Sequence, residues 1–140
     1  MEQLKLENQL CFPLYTASRL VIRSYTPFLE KLGITYPQYL VMLVLWEHGA
    51  MPVTQIAKLL WLDTNTLTPL LKRLESIGYI SRKRLSSDER VVMIELTEAG
   101  DSLRNEACLI PEKLISGLNF TNEELAELYR LLYKYIRQTS

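Results

Sequence analysis

Histidine is nearly absent: His48 is the single one in 140 residues. A metal centre built on several imidazoles is therefore excluded, and a Ser-His-Asp arrangement would have to work through one side chain at a helix end. Glycine numbers five, none in a phosphate-cradling run, and no Cys-x-x-Cys pair occurs. The longest apolar run, Tyr39 to Trp46, is far too short to cross a bilayer. The first residues, Met-Glu-Gln-Leu-Lys-Leu-Glu-Asn, show no basic segment followed by an apolar stretch. With only two cysteines, a disulfide scaffold is ruled out, and free thiols in a reducing cytoplasm are expected. No catalytic constellation, cofactor motif or metal site emerges, so a non-enzymatic role without a cofactor is expected.

What is present is an ordinary globular composition, 48% hydrophobic and 23% charged. The chain is long enough for one domain with a real core. No repeat, low-complexity tract or Gly/Ser/Pro linker divides it, so residues 1–140 are expected to form a single domain. Net charge is zero, but it is unevenly spread. Between Thr54 and Arg90, Lys58, Lys72, Arg73, Arg82, Lys83, Arg84 and Arg90 outnumber Asp63, Glu75, Asp88 and Glu89, and residues 91–140 carry the compensating acidic excess. A basic middle in a neutral chain is the asymmetry of a phosphate-binding module, although chance variation in surface charge gives the same pattern.

Hydrophobic spacing predicts mostly helix. Leu10, Leu14, Ala17, Val21, Tyr25 and Phe28 form one apolar stripe on a long first helix. Pro13 must either kink that helix or lie in its first turn, and the second arrangement puts Cys11 at a helix N-terminus. A second helix starts near Thr35, has Pro37 in its first turn and stops at Gly49; it is apolar nearly all round and should be buried. A short helix from Thr54 to Leu60, a turn, and a helix ending near Ile77 follow. Pro69 argues against a start as early as Thr64, whereas Thr66 as N-cap would put the proline at the third helical position. Tyr79–Arg84 and Val91–Leu96 read as two strands, with Leu85 to Arg90 as the loop between them. Beyond Thr97, a helix carrying Leu103, Ala107, Ile110, Leu114 and Leu118 should kink at Pro111. The capping box Thr121-Asn122-Glu123-Glu124 opens a last helix striped with Leu125, Leu128, Leu132, Tyr135 and Ile136.

The expected fold class is mainly α with a small β-hairpin. It is a winged helix-turn-helix core at about residues 35–96, with added N- and C-terminal dimerisation helices at about 6–31 and 98–138. The stripes of the outer helices need a partner, and a second copy of the chain, giving a homodimer, is the usual one. In such a core, Thr64, Asn65, Thr66 and Thr68 open the recognition helix and are the candidates for base edges of double-stranded DNA. Lys72, Arg73, Arg82, Lys83, Arg84 and Arg90 read as phosphate or groove contacts, with a merely solvated basic face as the plainer alternative. Asp88 is expected to orient Arg90 without touching DNA.

Val-Thr-Gln-Ile-Ala-Lys-Leu-Leu at 53–60, Thr-Leu-Thr-Pro-Leu-Leu-Lys-Arg-Leu-Glu-Ser-Ile-Gly-Tyr-Ile at 66–80 and Arg-Lys-Arg-Leu-Ser-Ser-Asp-Glu-Arg at 82–90, followed by Leu96-Thr97-Glu98-Ala99-Gly100, resemble the MarR family of bacterial regulators. The segments Leu6 to Phe12, Leu32 to Leu40 and Leu45-Trp46-Glu47 narrow the resemblance to the organic-hydroperoxide-sensing, OhrR-like branch, and are similar also to thiol-based staphylococcal regulators. In that branch the cysteine at the position of Cys11 is the peroxide sensor, and tyrosines at the positions of Tyr25 and Tyr36 hydrogen-bond it. The resemblance thus implies a repressor that leaves its operator when organic hydroperoxide oxidises Cys11 to a sulfenic acid and a small thiol then forms a mixed disulfide. The chain departs from the branch at Pro13, and at Thr64-Asn65, where the branch has Ser-Gly. The resolving cysteine of one subclass would fall near Ser116, whereas Cys108 lies about two turns earlier.

Taken without the resemblance, Cys11 reads as a buried structural thiol, and Tyr25 and Tyr36 as core aromatics. Cys108 is expected to be structural in either case. Two other functions stay open. One is a MarR-type regulator that answers a small aromatic or anionic ligand at the dimer junction, with Cys11 inert. The other is a thiol peroxidase, which needs an activating arginine near the thiol; Arg19 and Arg23 lie a helix face away.

Overall fold

The computed structural model describes residues 1–139. They fall into two compact units, one spanning Met1–Ile110 and the other beginning at Pro111.

The first unit opens with two 3-10 turns, Glu2–Leu4 and Leu6–Asn8. Side chains tie them down: the Asn8 amide donates to the Glu2 carbonyl at 2.7 Å, and the Gln9 amide to the Gln3 carbonyl at 2.6 Å. Helix α1 (Cys11–Leu32) therefore starts later than residue 6, and Pro13 stands in its first turn, where a missing N–H costs no intrahelical bond. Pro27 does lie inside the helix and removes the bond to the Arg23 carbonyl. Helix α2 (Tyr36–His48) is set by a capping box in which Gln38 Oε1 accepts the Thr35 backbone N–H at 2.9 Å. Tyr39, Val41, Met42, Val44 and Leu45 are buried, but Leu43 is exposed, so α2 is not covered on all sides as its composition suggested.

Helix α3 (Val53–Leu60) is joined to helix α4 (Thr64–Ile77) by a tight turn. The recognition helix begins at Thr64 and not after an N-cap at Thr66. Asp63 supplies the cap, its carboxylate accepting the Thr66 N–H at 2.7 Å. That bond offsets the interior position of Pro69, which leaves the Asn65 carbonyl without its helical donor on the exposed face. Strands β1 (Met51–Pro52), β2 (Ile80–Leu85) and β3 (Asp88–Leu96) form an antiparallel sheet in the order β1-β3-β2. The sheet thus has a third strand beyond the expected hairpin, with Met51 opposite Ile94. The wing strands also run further than expected: Leu85 pairs with Asp88, and only Ser86 and Ser87 make the turn. A two-stranded ribbon pairs through its backbone, so the polar side chains of this stretch do not end it.

The core of this unit joins Val41, Met42 and Leu45 of α2 to Ile56, Leu67, Leu71, Leu74, Ile80 and Ile94. Gly100 locks the exit of the sheet. A β-carbon there would stand 1.9 Å from the Tyr79 carbonyl oxygen, while the Gly100 carbonyl accepts the Trp46 indole N–H at 2.9 Å. The single helix expected after Thr97 is broken into α5 (Glu98–Ser102), α6 (Arg104–Ala107) and α7 (Ile110–Ser116). The helix is interrupted at Leu103 and at Cys108–Leu109; Pro111, which has no N–H to give the Ala107 carbonyl, is the second residue of α7.

The second unit contains helix α8 (Asn122–Gln138), opened by the expected capping box: Thr121 Oγ1 accepts the Glu124 N–H at 3.1 Å, and the Glu124 carboxylate accepts the Thr121 N–H at 2.9 Å. No residue of α8 is buried; Leu128, Leu132, Tyr135 and Ile136 all face solvent. The first half of α1 shows the same condition, with Leu14, Leu20, Val21 and Ile22 exposed. No described helix is long and apolar enough to cross a membrane.

Candidate nucleic-acid interface and thiol site

The polar residues that open α4 face outward from the helix-turn-helix. Thr64, Asn65 and Thr66 are exposed on its first turn, and Thr68 lies one turn further on, its hydroxyl donating to the Thr64 carbonyl at 2.7 Å. The Thr66 backbone N–H holds the Asp63 carboxyl below the usual carboxylate range, so the cap stays ionised at neutral pH.

Between α4 and the wing lies an open groove of about 450 Å³. Its walls carry Thr68 and Lys72 of α4, Arg82 and Arg84 of β2, and Arg90 of β3, over a floor of Pro52, Val53, Leu71, Val91 and Val92. Five of the sequence-derived candidates thus meet on one surface. Thr54, at the second position of α3, lines it too and carries no sequence signal beyond its place in the motif. Arg73 and Lys83 are exposed but do not line the groove. Arg82 has a second commitment: its Nε and its backbone N–H both reach the Glu75 carboxylate at 3.1 Å, fastening the wing to the recognition helix. Its guanidinium is therefore in part a brace, a role that its position in the basic cluster did not reveal.

Asp88 orients Arg90 as expected. One carboxylate accepts Arg90 Nε at Oδ1 and Nη2 at Oδ2, both at 3.1 Å, and Oδ1 also accepts the Arg90 backbone N–H. The guanidinium beside it lowers the Asp88 pKa. Arg90 is nevertheless 91% exposed, a fixed cation held out from the wing. Arg84 Nη1 donates to the Glu89 carbonyl at 2.8 Å and stiffens the same ribbon.

The thiol site is divided. Tyr25 and Tyr36 come together with ring centroids 5.2 Å apart, and Tyr39 packs on Tyr25 at 5.6 Å and on Trp46 at 6.4 Å. Burial raises the Tyr36 pKa; burial, then the neighbouring Tyr25 and Tyr36, push Tyr39 up to about 12. These two phenols are thus protonated donors near neutral pH. Cys11 is not among them. It is exposed at the first residue of α1, fourteen positions before Tyr25, or about 21 Å along a helix axis. The structure therefore does not bring Cys11 and its expected tyrosine partners together within one chain. Cys108, expected to be structural, is exposed at the end of α6, its Sγ 3.2 Å from the Asn105 carbonyl, and is no part of the core.

Comparison with known proteins places the chain in a family. The organic hydroperoxide resistance transcriptional regulator of Bacillus subtilis (strain 168) is 48% identical over 132 residues, covering 94% of this chain and 90% of that protein. Reduced AbfR bound to DNA superposes with a TM-score of 0.82 at 40% identity, over 99% of this chain and 94% of that one. The disulfide-formed AbfR, at 40% identity over 99% and 91%, superposes at 0.64. A mutant MarR from E. coli, complexed with operator DNA, reaches 0.83 at 28% identity, over 90% of this chain and 92% of that one. The family model described as transcriptional regulator SarA/Rot matches residues 23–107. The chain belongs to the SarA/Rot family of transcriptional regulators, built on the MarR-like winged helix-turn-helix.

Proposed function

We propose that this protein is a homodimeric, DNA-binding repressor of the cytoplasm, not an enzyme, and that organic hydroperoxide releases it from its operator by oxidising Cys11. The observation that carries the DNA half is the cationic groove between α4 and the wing, beside an exposed row of Thr64, Asn65 and Thr66. Those side chains meet base edges in the major groove, and Arg90 reaches from the wing toward the minor groove. The relatives named as a hydroperoxide resistance regulator and as DNA-bound AbfR support the same reading.

The thiol half follows from the division of the site. Cys11 and Tyr25 lie near opposite ends of the exposed stretch of α1, and Phe12, Leu14, Leu20, Val21 and Ile22 between them offer uncovered apolar surface. Two α1 helices crossing antiparallel on that surface bury it and place each Cys11 beside the tyrosines of the other copy, as a two-fold interface requires. The Cys11 thiolate attacks the distal peroxide oxygen, the O–O bond breaks, and the alcohol leaves with the proton. A small thiol then attacks the sulfenic sulfur, expels water and leaves a mixed disulfide. The bulk of that adduct separates Cys11 from the phenols and shifts the two recognition helices. Arg19, the arginine a peroxidase would want, stacks over Tyr15 at 5.1 Å, two turns from Cys11.

The Cys11→Ser variant tests the reading. It binds DNA as the wild type does and stays bound in stoichiometric cumene hydroperoxide, because serine cannot enter the oxidation ladder. Release of that variant by hydroperoxide removes Cys11 from the mechanism.

A further inference from the structure

We infer that Trp61 is a DNA-positioning residue, its indole seated against the sugar-phosphate backbone beside the recognition helix with Nε1–H donating to a phosphate oxygen. The inference rests on the DNA-binding reading above. Trp61 ends α3 with φ 57° and ψ 36°, the one non-glycine residue with positive φ among those described. Glycine adopts this conformation freely, whereas a β-carbon is crowded there. The turn is nonetheless fixed: the Trp61 N–H points to the Lys58 carbonyl, and the Leu62 N–H donates to the Ala57 carbonyl at 3.0 Å. A backbone conformation that disfavours a large side chain is thus fixed at this turn, which is the condition of strain kept for function.

The two tryptophans differ in what they do. Trp46 is half-buried, packs on Tyr39 and gives its N–H to the Gly100 carbonyl. Trp61 is 58% exposed, and among the described residues its indole N–H has no protein acceptor. Packing therefore does not account for it. Its location supplies the occupant. It stands two residues before Asp63, the N-cap of α4, and three before Thr64, where the row that faces base edges begins. An exposed ring at the turn leading into that row is within reach of the phosphates and deoxyriboses that flank the contacted base pairs. An indole offers an apolar face for the sugar and one donor for an anion, and such contacts set register without reading sequence.

Because the contact is independent of sequence, a mixed-sequence duplex of about 30 base pairs serves as probe. Kd is measured by fluorescence anisotropy at several salt concentrations, alongside thermal unfolding. Trp61→Gly raises Kd about tenfold or more, the loss of a hydrogen bond to a charged group. The same variant unfolds at the wild-type temperature or above it, since glycine relieves the turn. The salt slope is unchanged, because a neutral donor releases no counterion. Trp61→Phe falls between the two, keeping a ring and losing the N–H. In a Trp46→Phe background, the emission of Trp61 is shielded from iodide when duplex is added. The inference is overturned if Trp61→Gly binds within about twofold of wild type, if it loses stability and binding together, or if duplex leaves Trp61 open to iodide. Failure of the wild type itself to bind duplex at low salt overturns the DNA-binding reading instead.

Discussion

Removing Arg90 and removing the carboxylate that holds it are expected to have different signatures. The Asp88 carboxylate takes two guanidinium donors and a backbone N–H of Arg90, yet the guanidinium remains almost wholly open to solvent. Arg90→Ala removes one cation from each wing of a dimer. With a salt slope of about −0.9 per neutralised phosphate, two lost contacts lower the slope by about 1.8. Between about 50 and 200 mM salt, the span over which such slopes are commonly compared, the wild type then loses about twelvefold more affinity than the variant. Asp88→Ala keeps the cation, so its slope matches wild type. It frees the side chain, however, and ordering it again on binding weakens affinity about two- to tenfold per wing. Loss of the negative charge near phosphate works in the opposite direction and sets the lower end of that range. Anisotropy titrations of both variants on one duplex, at four or five salt concentrations, separate the two effects. If Asp88→Ala binds as tightly as wild type at every salt, pre-orientation by Asp88 contributes nothing; if Arg90→Ala keeps the full slope, the wing does not touch phosphate.

Asn65→Ala is expected to reduce the preference for cognate over mixed-sequence DNA by about 1–3 kcal/mol, the discrimination of one bidentate amide–adenine pair, with little change in non-specific binding; equal losses on both duplexes would make Asn65 a backbone contact. Gly100→Ala drives a methyl group into the Tyr79 carbonyl and disturbs the acceptor of the Trp46 indole, so it should cost more than about 2 kcal/mol and lower the unfolding temperature by several degrees, which calorimetry measures. Asp63 titrates below its ordinary value because the Thr66 N–H stabilises its anion, so its contribution to stability is complete above about pH 4 and is lost as pH falls through the folded-state value. Thermal unfolding of Asp63→Asn should therefore show a shallower acid limb than wild type, and identical limbs would exclude the cap as its source.

The elements that periodicity and capping chemistry specify were legible in the sequence: a long α1, the Thr121 capping box of α8, the helix-turn-helix and two wing strands are all present, although α1 begins later, α4 earlier and the wing strands run further toward their turn than expected. Readings that depended on one residue's local preference fared differently. Pro69 argued for a late start to α4, but the preference of a single proline was outweighed by the Asp63 cap, whose carboxylate lay ahead of the expected N-cap at Thr66 and was counted only as charge. The strand Met51–Pro52 has no pattern to find, since two residues cannot alternate, and it exists because Ile94 opposite it belongs to the core. Trp61 is the sharper case. Nothing in a sequence marks a tryptophan as left-handed, and the residue that signals such a turn, glycine, is missing.

The candidate site divides along the same line. Basic residues on α4 and the wing could be grouped from charge and order alone, because both elements belong to one motif with a fixed geometry. Which cations are free was legible only in part: Asp88, two residues from Arg90, was expected to aim it and does, whereas Glu75 ties Arg82 inward across seven positions, and the charge pattern does not mark that pair. The cysteine and its tyrosines show the remaining limit. Sequence resemblance joined Cys11, Tyr25 and Tyr36 into one site, and a single helix with a rise of about 1.5 Å per residue sets the first two about 21 Å apart. In the function proposed above a second copy completes the site that one protomer cannot close, and the apolar residues exposed between Phe12 and Ile22 are where that copy is expected to lie.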